Sequence, residues 1–134
     1  MKNKKKVKGY IFSRAFEGER APQHIQNLVI RNYCNNNNLE YQLSASEYEF
    51  KDSHSMLYQM LDELNAIDGI IAYSIFQMPR DTYSRNKIIN KIINKKKSFY
   101  FALEDMKVSN KDDLFLLDEI WNVNKTLSSC YKPE

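Results

Sequence analysis

The chain has 134 residues, room for one domain with one core and not for two comfortable ones. Its 43% hydrophobic and 28% charged residues are ordinary for a globular protein, and neither a membrane-length apolar run nor a leader-like segment is present, so a cytoplasmic protein that does not enter membranes is expected. The net charge of +3 rests on Lys2, Lys4, Lys5, Lys6 and Lys8; the rest of the body is slightly acidic, a poor electrostatic footprint for nucleic acid.

In chain order, residues 1–7 read as a solvated basic arm. "KGYIF" (8–12) is a short aromatic run, expected as a buried strand. "APQHIQNLVIRNYC" (21–34) places Ile25, Leu28, Val29 and Tyr33 on one helical face, with Pro22 suited to the first turn. "NNNN" (35–38) ends that helix, because asparagine tolerates the left-handed conformation. "LEYQLSASEYEF" (39–50) alternates Leu39, Tyr41 and Leu43 with polar neighbours and reads as a half-exposed edge strand.

"SMLYQMLDELN" (55–65) repeats Met56, Leu57, Met60, Leu61 and Leu64 at helical spacing. "DGIIAYSIF" (68–76) is the most hydrophobic run and reads as a central parallel strand. "SRNKIINKIINKKK" (84–97) is a helix whose stripe Ile88, Ile89, Ile92 and Ile93 is expected to pack on the sheet, with lysines opposite. "SFYFALEDM" (98–106) is a fourth strand. "SNKDDLFLLDEIWNVNKTL" (109–127) is a last helix, with Ser109 as its expected N-cap and 128–134 as a tail. This helix has more apolar residues than one sheet-facing stripe needs; the surplus, Phe115 and Trp121 above all, predicts a homo-oligomer, most simply a two-fold dimer. Cys34 reads as a core thiol and Cys130 as a free tail thiol; their placement fits neither a disulfide framework nor a metal site.

Alternating strands and helices predict one three-layer α/β domain over 1–134, with a mostly parallel four-stranded sheet in the order 2-1-3-4 and helices on both faces. Such sheets bind ligands outside the carboxyl ends of their strands. That edge gathers residues 13–20, 74–85 and 104–107. The first loop, "SRAFEGERAPQ", leads into a helix N-terminus, where unpaired N–H groups and the dipole favour anions. Arg14, Arg20 and Arg80 are the candidate anion ligands, with Ser13, Gln23, Ser74 and Gln77 as hydrogen-bonding partners. Ser13, Glu17, Glu19 and His24 are the candidate catalytic groups; the helix dipole is expected to favour a neutral His24 imidazole able to act as a base. No metal-ligand spacing, glycine-rich phosphate loop or nucleophile elbow occurs, so no metal or cofactor is expected.

The stretches "GYIFSRAFEGERAPQHIQNLVIRNYC", "LSASEYEF", "LDELNAIDGIIAYSIFQMP" and "FALEDM" resemble the sporadic carbohydrate cluster proteins, encoded among polysaccharide and lipopolysaccharide biosynthesis genes. The resemblance implies a context in surface-carbohydrate synthesis; joined to the arginines of the first loop, it leads to the expectation of an anionic sugar intermediate of surface-polysaccharide or nucleotide-sugar metabolism, bound or acted on there. A more distant resemblance is to the catalytic domain of serine recombinases, whose first strand looks like Gly-Tyr-x-Arg-x-Ser and is followed by a helix carrying a glutamine. Here "GYIFSR" puts Phe12 at the arginine's place and Arg14 at the nucleophile's, with Ser13 one position away; Gln26 matches the glutamine. Arg80 and Arg85 are spaced more widely than the arginines of the family's later strand. This resemblance implies the resolvase-like fold; a non-catalytic binding or assembly module that kept it is the alternative reading, and a DNA strand-exchange domain a third.

Overall fold

The computed structural model describes residues 4–13, 21–47 and 54–130. Five strands, β1 Lys5–Phe12, β2 Leu39–Glu47, β3 Gly69–Ala72, β4 Ser98–Phe101 and β5 Met106–Val108, form one sheet in the order β2-β1-β3-β4-β5. The first four run parallel and β5 is antiparallel to β4. Four helices complete the chain: α1 Gln23–Asn36, α2 Ser55–Asp62, α3 Thr82–Asn94 and α4 Lys111–Cys130.

The sheet is larger than the expected four-stranded one. The run 98–106 does not stay extended: the chain turns after Phe101, Asp105 takes a positive φ of 52°, and Met106–Val108 folds back to pair with β4. At the start, β1 takes in Lys5 and Lys6, which the sequence assigns to the basic arm. Lys6 is held there by its N–H, which donates to the Asp68 carboxylate at 2.7 Å, and by its carbonyl, which accepts from the Asp68 N–H at 2.7 Å. The hydrophobic run 68–76 is strand only to Ala72 and then winds into a 3-10 turn at Ile75–Gln77.

The α1 face of the sheet is closed by Val7, Ile11, Ile30, Tyr33, Cys34, Ile71 and Tyr100. The other face packs Tyr10, Phe12, Ile70 and Phe99 against Leu57 of α2, Ile88, Ile89 and Ile92 of α3, and Leu117 and Trp121 of α4. The isoleucine stripe therefore sits on the sheet, with Ile93 partly buried beside it. Two helix readings shift. The buried stripe of α1 is Gln26, Ile30, Tyr33 and Cys34, while Ile25 and Leu28 face outward, Leu28 at 62% exposure. A polar residue inside the stripe disguised its register. Trp121, expected in the surplus on α4, is buried because its indole N–H donates to the Ile75 carbonyl at 3.1 Å. The N-cap of α4 is Asn110, not Ser109: Asn110 Oδ1 accepts from the Asp113 N–H at 2.9 Å, and the Asp113 carboxylate accepts in turn from the Ser109 N–H. The helix runs on to Cys130, into the segment read as a tail. Asn38, at φ 55°, supplies the left-handed residue expected after α1.

One irregularity in β2 shapes both the carboxyl edge of the sheet and the flank of α1. Val7 pairs with Tyr41, Tyr10 with Ala45 and Ile11 with Ser46, so β2 carries one residue more than β1 across this stretch. A bulge of this kind switches the face on which later side chains lie. It puts Ser46 on the α1 face with Ile11 and turns Glu47 to the opposite face with Phe12.

Candidate functional site

The strand order reverses between β1 and β3, and their carboxyl ends make the crevice where folds of this architecture keep their ligands. In this chain that crevice is bridged by two buried glutamines. Gln26, projected inward from α1, accepts from the Phe12 N–H at 3.0 Å and donates to the carbonyls of Phe12 at 2.9 Å and Ala21 at 2.7 Å. Its Oε1 also accepts from Gln77 Nε2 at 2.7 Å. Gln77 Oε1 accepts from the Tyr73 and Ser74 N–H groups, and the Gln77 carbonyl lies 3.1 Å from His54 Nε2. Neither glutamine has accessible surface, so each bond replaces one that water would otherwise provide.

The neighbouring loops are tied in the same manner. Ser13 gives both its N–H and its hydroxyl to the Glu47 carbonyl, at 3.0 and 2.6 Å. Ser74 Oγ donates to Glu104 Oε2 at 2.8 Å, and Glu104 Oε1 accepts from the Ile75 N–H at 2.9 Å. Burial pushes the Glu104 carboxyl above its ordinary range, and the two hydrogen bonds offset part of that rise. Glu47, turned inward by the bulge, accepts from the Tyr10 hydroxyl at 2.8 Å and from the Met56 and Leu57 N–H groups at the start of α2. The carboxylate satisfies helix-end donors where the dipole favours negative charge.

Of the residues singled out in the sequence, Ser13, Ser74 and Gln77 follow the carboxyl ends of β1 and β3, with their polar groups engaged internally, and only Ser74 and Gln77 are bonded to each other. Gln23 and His24 are exposed on the first turn of α1, and Arg80 is exposed, its carbonyl accepting from Arg85 Nη1 at 2.8 Å. Arg14, Glu17, Glu19 and Arg20 lie outside the described residues. Among the described residues, no cluster of three or more His, Cys, Asp or Glu could hold a metal ion, and no helix is long and apolar enough to cross a membrane.

Sequence reasoning missed two features. Arg85, singled out in the sequence only for its spacing from Arg80, is fully buried: it donates to the Pro79 and Arg80 carbonyls and to Asp118, and lies 4.7 Å from the Trp121 ring centroid. The second is a groove of about 480 Å³ between α1 and β2, lined among others by Gln23, Asn27, Arg31, Tyr41, Ser44 and Ser46. Its helix side was readable, since Gln23, Asn27 and Arg31 recur every four residues. Its strand side was not, because it depends on the bulge.

The fold is similar to that in the crystal structure of the N-terminal catalytic domain of TP901-1 integrase, with a TM-score of 0.63 over 93% of this chain and 99% of that one. At 14% identity the likeness shows a fold like that of serine-recombinase catalytic domains and nothing of the chemistry. No family model matches the sequence, and no curated protein matches it.

Proposed function

We propose that this chain is a non-catalytic binding module on a serine-recombinase-like scaffold, acting in the cytoplasm on an anionic sugar or sugar nucleotide of surface-polysaccharide synthesis. The observation that carries the non-catalytic reading is the Gln26–Gln77 bridge, which fills the crevice between β1 and β3. Ser13, the hydroxyl nearest the recombinase nucleophile's place, donates to a main-chain carbonyl rather than to a side-chain base. The sugar context comes from the resemblance to the carbohydrate cluster proteins, and the anionic character of the ligand from Arg14 and Arg20, its candidate partners in the first loop. The module works as a two-fold homodimer through α4, on which Phe115, Leu116 and Val123 remain exposed after Trp121 is buried.

Incubation with supercoiled plasmid at low salt tests the reading. No protein–DNA covalent adduct and no relaxation are expected. An adduct that disappears in Ser13→Ala would overturn it in favour of strand-exchange chemistry.

A further inference from the structure

The α1–β2 groove carries more polar capacity than the fold uses. Asn27 Oδ1 accepts from both the Tyr41 and the Ser44 hydroxyls, which also touch each other. Both lone pairs of that oxygen are thereby taken, and the amide is fixed with its Nδ2 donors unused among the described residues. Burial pushes the Tyr41 phenol up to about 12, so it stays protonated and keeps its donor role at neutral pH. Gly9 beneath them makes the cluster possible: a Cβ there would lie 2.6 Å from both the Tyr41 and the Ser44 hydroxyl oxygens.

Arg31 stands one helical turn beyond Asn27, its guanidinium 5.8 Å from the Tyr41 ring centroid. It forms no ion pair with a carboxylate among the described residues. The groove thus offers a planar cation, a fixed amide donor and, at its upper end, the Gln23 amide and Ser46 hydroxyl. An arginine fork matches a carboxylate or phosphate in bidentate fashion, and the amide and hydroxyl groups match vicinal hydroxyls.

We propose that this groove binds a hydroxylated ligand bearing one carboxylate or phosphate group, with Arg31 holding the anion and Asn27, Gln23 and Ser46 the hydroxyls. This rests on the binding-module reading and moves the ligand from the first loop to the flank of α1.

Titration of the 15N-labelled full chain with glucuronate and with glucose 1-phosphate tests it. The amide resonances of Asn27, Arg31, Ser44 and Ser46 are expected to shift with at least one probe; which of the two binds tighter separates a sugar acid from a sugar phosphate. Arg31→Gln should weaken binding about tenfold or more, Arg31→Lys less, and uncharged glucose should bind correspondingly more weakly. Shifts on another surface, or shifts unchanged in Arg31→Gln, overturn the groove and leave the binding-module reading in place. No response to either probe overturns the groove as well. A Ser13-dependent DNA adduct, by contrast, overturns the module reading whatever the titration gives.

Discussion

Glu104 ties the carboxyl edge together through a carboxylate that burial makes harder to ionise. Its carboxylate joins the turn after β4 to the turn after β3 through Ser74 and Ile75. Because burial raises its pKa in the folded chain, the folded state holds the proton more tightly than the unfolded state does. Its contribution is therefore fully present below the ordinary carboxylate pKa and is lost as pH rises from there through the raised value. Glu104→Gln keeps an acceptor for the Ile75 N–H and carries no titrating group. Thermal unfolding followed across mildly acidic pH should show a shallower decline with rising pH in Glu104→Gln than in the wild type. Parallel curves would mean that Glu104 ionises as freely folded as unfolded.

At the scale of elements, the contact of α3 with α4 depends on a buried cation. Arg85 has no exposed surface, and its guanidinium is shared among two carbonyls, Thr82 Oγ1 and Asp118 Oδ1. Removing one member of such an arrangement strands the others, which costs far more than the pair contributes net. Arg85→Met is expected to lower unfolding stability by about 3–5 kcal/mol in urea denaturation, and adding Asp118→Leu should recover part of that loss. A change within about 0.5 kcal/mol for Arg85→Met would place the guanidinium in water instead. The same element explains the fate of the apolar surplus on α4: Trp121 turns inward under Arg85 and toward Ile75, while Phe115 stays 67% exposed.

For the whole molecule, the dimer proposed through α4 makes a plain claim about mass. Light scattering at micromolar concentration should give about twice the 15.9 kDa of one chain, and Phe115→Glu should return it to one. A wild-type mass near 15.9 kDa refutes the dimer. A dimer that survives Phe115→Glu shows that another surface pairs, such as the outward face of α1 bearing Ile25 and Leu28.

What the sequence determined by itself is the succession of the first four strands and the four helices. Strand runs such as "DGIIAYSIF" and the isoleucine stripe of α3 carry their period locally, and each found its place on the sheet. Gln26 was visible as a match to the recombinase helix, but its role was not: its partner Gln77 lies 51 residues away. Arg85 and Asp118 are 33 residues apart, so the same string of letters reads equally well as a solvated helix face. The bulge in β2 is decided by pairing with β1, and it alone sends Ser46 to the groove and Glu47 to the core. Periodicity is a property of neighbours along the chain, whereas burial of a polar group is settled by the distant partner that satisfies it. The order of the first four strands and of the four helices was therefore legible in the sequence, while β5, the carboxyl edge and the groove were decided only in the folded molecule.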